Sequence, residues 1–428
     1  MLVKTTDRKR KDGSYPIAIE FNFNGRSILT QDDLLARIDD WEQDFERVRE
    51  TKRNKDRAFV TNVVLDSLAT RINNIVNEYR EKNLILTNAI VINKLALKVS
   101  GDTVENFAVE HILNLVKNNQ IGSAKIFAEM LYYLRKFDSH FCKKCFADID
   151  FNYVVAFEKA QLSPKREGGP RKKGGISVNI RSLRTLLNKA IADGIGCTET
   201  YPFSTKYGPR TDIYVITKRL KSKSRKPLVP KSSLLDFYNY EFDEMVYKRT
   251  KAYFFLSFFA AGINFMDLAK LKVTDIKRCF NTRGEPIEYF VYERSKTHEP
   301  IEVIINGDIR EQIDILRTNF TTVSDYLLPI VTIPYEDEVA LYDHIVGKRK
   351  KVSIYLKRMA KISNLPKELL NISVCYARYS FANIVYGKTN CIDIVSGVMH
   401  HTDTSTTKLY LEDVKADELA EYTKDLIR

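Results

Sequence analysis

An arginine, a histidine and a tyrosine follow one another near the end of this 428-residue chain: Arg378, His401 and, nine residues on, Tyr410. Side chains of these types could together act on a phosphodiester. Such an ester has a poor leaving group and repels nucleophiles. Transfer therefore needs a nucleophile, an acid for the departing 5′ oxygen, and positive charge on the phosphorane-like transition state. A guanidinium stays charged and grips phosphate oxygens in a fixed fork. An imidazole can donate a hydrogen bond to the same group. A phenol leaves more readily than an alkoxide, so an ester on Tyr410 keeps its bond energy for a return step without metal or ATP.

The elements that must hold these groups can be read from periodicity. Arg378 sits in the apolar helical stretch Val374 to Ala382, and Thr402-Asp403 beside His401 reads as a helix start, which favours anions. Tyr289 to Arg294 and Ile301 to Ile305 read as strands flanking Ser295-Lys296-Thr297-His298-Glu299-Pro300. Arg294 lies two residues before Lys296, so a strand would turn both side chains to one face. Leu234 to Met245 and Tyr253 to Phe259 read as buried helices. Beyond Tyr410, Val414, Leu419, Tyr422 and Leu426 mark a short amphipathic helix over Glu412 to Arg428.

Upstream, Tyr15 to Phe23 partly alternates apolar and polar residues and turns at Asn24-Gly25, a strand and hairpin pattern. Arg57 to Ala96 reads as helical, as do Phe107 to Val116, Ala124 to Phe137, and Ile176 to Ile191 after a loop from Gly168 to Gly175. The expected organisation is multidomain and mainly α. A small strand-rich module spans 1–100, a helical domain 101–205, a basic linker 206–230, and a mostly helical domain with a small antiparallel sheet 231–428.

A net charge of +13 and a pI near 9.2 point to a polyanionic partner. The charge is clustered. Arg8-Lys9-Arg10-Lys11 is one group, Lys165-Arg166 with Arg171-Lys172-Lys173 a second, and Lys218, Arg219, Lys221, Lys223, Arg225 and Lys226 a third. These read as contacts to the phosphates of double-stranded DNA, with strongly salt-dependent binding. No apolar run approaches the ~20 residues of a membrane helix. Met1-Leu2-Val3-Lys4 leads straight into charged sequence, so the expected location is the bacterial cytoplasm, near the nucleoid, with no membrane partner. Six cysteines do not make a disulfide scaffold. His140, Cys142 and Cys145 lack a fourth zinc ligand nearby, and Asp148, Asp150 and Glu336-Asp337-Glu338 do not match a two-metal nuclease. No metal or other cofactor is expected.

Three segments together resemble the tyrosine recombinase, or phage-type integrase, family. Arg378-Tyr379-Ser380-Phe381-Ala382 stands where that family has R-H-S-F-A, Met399-His400-His401 where it has L-G-H, and Thr406-Thr407-Lys408-Leu409-Tyr410 where it has T-T-x-x-Y. The resemblance implies Tyr410 as nucleophile, Arg378 as phosphate clamp, His401 as phosphate donor, and Lys296, in a K-T hairpin, as general acid. It further implies a 3′-phosphotyrosine intermediate, a SAM-like core-binding domain, and an N-terminal arm-binding-like module. A homotetramer would form on paired DNA sites through the C-terminal tail, with a DNA-bending host factor as a further partner open to it.

Two departures from the family pattern matter. In Gly262-Ile263-Asn264-Phe265-Met266-Asp267-Leu268, Asn264 occupies the position of the family's first arginine; Arg294, or more weakly Lys251, could supply the missing charge. In Cys375-Tyr376-Ala377-Arg378, Cys375 occupies the histidine position of H-x-x-R. Cys375 reads as a buried helix residue, or as a thiol passing a proton beside Arg378. These departures leave open a DNA-binding protein of the same fold with impaired catalysis. A nicking and relaxing enzyme of the type IB topoisomerase kind is a third reading.

Overall fold

The computed structural model describes residues 2–10, 13–23, 26–51, 54–96, 103–204, 212–220, 229–280, 283–295, 299–319, 325–333, 335, 338–366, 369–400, 404 and 407. The chain divides into two compact units, Met1–Lys223 and Ser224–Arg428.

The first unit opens with an antiparallel meander of β1 (Leu2–Thr5), β2 (Tyr15–Asn22) and β3 (Arg26–Ala36). Val3 pairs with Ile19, and Ile17, Ile19 and Phe21 turn into the core, as a period of two requires. The β2–β3 register slips between Pro16 and Ile17, where proline has no N–H to give the ladder. The strands close at the pair Asn22 and Arg26; the expected turn residues Asn24-Gly25 lie outside the described residues. A two-residue pairing follows, β4 (Trp41–Glu42) with β5 (Arg47–Val48).

The stretch read as one helix from Arg57 to Ala96 is two, α1 (Lys55–Glu81) and α2 (Asn88–Ala96). Asn83 takes a left-handed φ of 49°. The Asn83 N–H bonds the Arg80 carbonyl at 3.1 Å and the Leu84 N–H bonds the Tyr79 carbonyl at 2.9 Å, which closes the helix end. Then come α3 (Val104–Lys117), α4 (Ile121–Phe137), α5 (Phe151–Leu162), α6 (Lys173–Ala192) and the short α7 (Ile216–Arg219). Thr103 caps α3 and Asp150 caps α5 through side-chain oxygens that accept backbone N–H groups.

Helix α1 packs against β3 and β5 and also against α3 and α4. One hydrophobic core therefore runs from Val3 through Ile72, Leu131 and Leu183 to Tyr214 and Leu220. A polar tie crosses it: Arg135 on α4 donates to Glu105 on α3 and to Ser67 on α1. Glu105 is only 3% exposed. Glu105→Ala leaves a mostly buried guanidinium without its carboxylate, and the first unit is expected to lose about 3 kcal/mol of stability. A urea titration of wild type and variant measures this.

The second unit begins with α8 (Lys231–Asn239) and α9 (Met245–Phe259). The single helix expected from Leu234 to Met245 is interrupted: Tyr240 leaves α8 in an extended conformation, and Phe242 turns in against Phe237. Next come α10 (Phe265–Lys270), β6 (Ile276–Phe280), β7 (Pro286–Glu293) and β8 (Pro300–Ile304), an antiparallel sheet in chain order. Phe290 on the central strand is fully buried between its partners Ile276 and Val303. The domain continues with α11 (Gly307–Asn319), α12 (Glu338–Ile362), α13 (Cys375–Thr389) and α14 (Ile392–Val398). Helix α9 is the hub on which α11, α12 and α13 pack, and its core aromatics Phe254 and Phe255 are fully buried. Mainly helical units with small antiparallel sheets agree with the fold class read from the sequence. No described helix is long and apolar enough to cross a membrane.

Candidate active site

Arg378 lies in the first turn of α13. Its Nη1 donates to the Gly262 carbonyl at 2.8 Å, and its Nη2 to the Met399 carbonyl at 3.4 Å. Gly262 belongs to a tight turn between α9 and α10 in which Ala261 (φ 54°) and Gly262 (φ 71°) are both left-handed. A Cβ at Gly262 would stand 2.8 Å from the Arg378 Cα. Glycine is thus needed there both for its backbone and to let α13 approach. Gly262→Ala is expected to cost about 2 kcal/mol or more and to displace Arg378. Thermal melting measures the loss.

Arg294 follows β7 and converges on the same place. Its Nη1 donates to the His400 carbonyl at 3.0 Å, and its N–H to the Glu299 carbonyl at 2.9 Å. Two guanidiniums, one from α13 and one from the β-hairpin, therefore hold adjacent carbonyls of the turn that leads into His401. The hairpin is held in place by Asp267, 5% exposed on α10, whose Oδ1 accepts the Ser295 N–H at 3.0 Å. Asp267 fills the acidic position of the Gly262-to-Leu268 pattern, yet nothing in the sequence pairs it with a backbone amide 28 residues away.

The surroundings keep their charge on the two arginines. Burial pushes the Tyr292 phenol up to about 12, with Asp267 adding to the effect and Arg378 and Arg294 opposing it, so Tyr292 is a neutral wall. Burial, then Arg294 and Arg378, push the His400 imidazole below its usual value, which keeps it neutral as well. His400 carries a left-handed φ of 50°, which accounts for glycine at this position in the family pattern.

Asn264 is exposed, and its side-chain oxygen accepts the Met266 N–H at 3.2 Å to cap α10. Lys251 donates to the Tyr240 carbonyl at 2.9 Å and lies over the Tyr238 ring, so its ammonium is committed there. Cys375, read as a buried helix residue, is exposed at the first position of α13, between buried Val374 and Tyr376. Lys296, His401, Thr406 and Tyr410 lie outside the described residues; Thr407, three residues before Tyr410, is helical and fully buried.

In the first unit the basic clusters sort by environment. Lys165, Lys172, Lys173 and Lys218 are exposed. Arg166 donates to the Gly169 carbonyl at 2.9 Å, and Arg171 is held by Gln161 and Asn179 at 3.2 and 2.8 Å. Arg219 bonds the buried carboxylate of Glu158 at 2.6 Å, which also accepts from Tyr214 at 2.7 Å. Lys221, Lys223, Arg225 and Lys226 lie outside the described residues. Among the described residues no three His, Cys, Asp or Glu side chains gather to hold a metal; Cys145 instead bonds Asp148 at 3.2 Å.

Residues 103–208 match the family model of the phage integrase SAM-like domain. The fold is also that of a Tn1549 transposon integrase in complex with a circular intermediate DNA, at a TM-score of 0.50 and 12% identity over 75% of this chain and 98% of that one. The chain has the tyrosine recombinase fold. Two other solved recombinases are similar. XerH site-specific recombinase bound to difH substrate gives a TM-score of 0.47 and 13% identity over 89% of this chain and 97% of that one. A lambda integrase dimer bound to a COC′ core site gives 0.47 and 15% over 72% and 98%. No curated protein sequence matches the chain.

Proposed function

We propose that this chain is a site-specific DNA recombinase that cuts and rejoins duplex DNA through a 3′-phosphotyrosine on Tyr410, without metal or ATP. The observation that carries this reading is the convergence of Arg294 and Arg378 on the carbonyls of Met399 and His400, directly before His401. A phosphate set against this turn would meet two fixed guanidiniums, which is the charge an associative transfer needs. Arg378 clamps the phosphate, and Arg294 supplies the charge that Asn264 cannot. Lys296, which follows Ser295 in sequence, protonates the departing 5′ oxygen, and His401 donates to a non-bridging oxygen. Cys375, open to solvent, has no role in this reaction.

On DNA the helical domain of 101–205 would hold one side of the crossover site, the basic linker of 206–230 would follow the backbone, and the module of 1–100 would bind an arm site. Four protomers on paired sites in the bacterial cytoplasm would exchange strands, linked by their tails beyond Tyr410.

The test is a nicked suicide substrate carrying the candidate site, run on a denaturing gel. A covalent protein–DNA band that depends on Tyr410 supports the enzyme. One observation favours a second reading: Asn264 is neutral and already used as a helix cap. Tight, salt-sensitive binding to a footprinted site with no covalent band would make the chain an occupancy factor on the recombinase fold.

A further inference from the structure

The loop between α5 and α6 carries four of the basic residues and the first position of α6 a fifth, yet they do not share one environment. The Arg171 guanidinium lies flat on Tyr133 of α4, 3.4 Å from the ring centroid. Arg166 approaches the same ring at 5.8 Å. Tyr133 meets Tyr132 edge to face at 5.2 Å, and Tyr132 meets Phe59 of α1 at 5.8 Å. Arg171 is further fixed by Gln161 and Asn179, and its N–H bonds the Gln161 carbonyl at 2.9 Å. Between the two arginines the chain turns at Gly168 and Gly169, both with φ near +80° (80° and 75°). Lys165, Lys172 and Lys173 stay in solvent.

We infer that Tyr133 is a positioning residue for DNA binding: it stacks under Arg171 and Arg166 so that the loop presents Lys165, Lys172 and Lys173, and not the arginines, to DNA phosphates. This rests on the reading of the chain as a DNA-binding recombinase. The physical basis is the difference between the two cations. Arginine has a planar, weakly hydrated head that stacks on a ring and bonds in its plane, whereas lysine keeps a hydrated point charge that pairs with phosphate from the surface. Half-burial lowers the affinity of Arg171 for its proton, and the Tyr133 ring at 3.4 Å with the Gln161 and Asn179 acceptors hold the guanidinium in that position. The ladder from Phe59 to Arg171 ties the loop to α1, so the loop is braced by the strand-rich part of the same unit.

The test compares full-length wild type with Tyr133→Phe, Tyr133→Leu, Arg171→Lys, Arg171→Ala and the double variant Lys172→Ala/Lys173→Ala. Affinity for a duplex carrying the site is measured from low to high salt, with thermal melting as a folding control. Every phosphate that the protein ceases to neutralise lowers the slope of log K against log salt by about 0.9. The double variant should lower it by about 1.8, twice that value. Tyr133→Leu removes no charge, yet it should lower the slope by the equivalent of at least one phosphate, and Arg171→Lys should do the same because lysine cannot stack flat. Tyr133→Phe should match wild type in both affinity and slope. A folded Tyr133→Leu protein with the wild-type slope overturns the inference. So does a wild-type slope in Arg171→Lys beside a slope in Arg171→Ala that is lower by one phosphate, which would make Arg171 itself a phosphate ligand. If wild type binds no duplex, the reading of the chain as a DNA-binding protein falls first. If wild type binds but the double lysine variant keeps its slope, only the loop assignment falls.

Discussion

Tyr410→Phe will bind its DNA site as tightly as wild type and form no covalent protein–DNA band. In the proposed reaction, removing one hydroxyl takes away the atom that would become ester-linked to the 3′ phosphate, while the basic residues proposed to set affinity are untouched. The expected loss of cleavage is on the order of 10³-fold or more, because the remaining groups can bind and polarise the phosphate but have nothing to transfer it to. Cleavage on the suicide substrate and binding by gel shift, measured on one preparation, separate the two effects. A residual band in Tyr410→Phe at wild-type level would move the nucleophile elsewhere among the 23 tyrosines.

The second large effect belongs to the paired arginines. Arg378→Ala and Arg294→Ala are each expected to reduce cleavage by about 10²- to 10³-fold, the range for deleting one preorganised donor to a developing anion. Arg294→Lys should recover only part of the loss, because an ammonium cannot reach the His400 carbonyl and a phosphate oxygen together as a fork can. The informative variant is Asn264→Arg placed in the Arg294→Ala protein. If Arg294 supplies the charge missing at Asn264, the added arginine restores cleavage by tenfold or more (about 1.4 kcal/mol). Full activity in Arg294→Ala removes the assignment. Equal losses in both variants with no rescue would leave Arg294 as a brace for the His400 turn.

What the sequence reveals here follows the range of the interactions involved. The strands around Lys296 and the helices α3, α4, α6 and α13 are legible because their apolar spacing is local. The break after Glu81 is not, because it rests on Asn83 entering a left-handed conformation without a glycine or proline to mark it. Strand β6 is hidden for a different reason: after Ile276 all of its residues are exposed, so it has no alternation to show. In the site, the spacing of Arg294 and Lys296 suggests one shared face, but the partner of Arg294 lies 106 residues away in the His400 carbonyl, which no local pattern reveals. The basic runs show the same limit. Charge alone cannot separate Arg219, exposed yet tied to Glu158 from 61 residues away, from an equally exposed neighbour such as Lys218. Arg171 on Tyr133 and Lys172 in solvent are adjacent in the chain and differ only in three dimensions.

The continuous core of the first unit bears on how the protein is made. Val3 at one end of that core and Tyr214 and Leu220 at the other close the same hydrophobic interior. As the chain leaves the ribosome, the meander and α1 emerge early with one apolar side uncovered. They must wait for α3 and α4 before that side is shut off from water. The interval is one in which a chaperone can hold the nascent strands. The Arg378 domain, whose aromatic core lies wholly within the second unit, then folds on a chain whose first half is already complete.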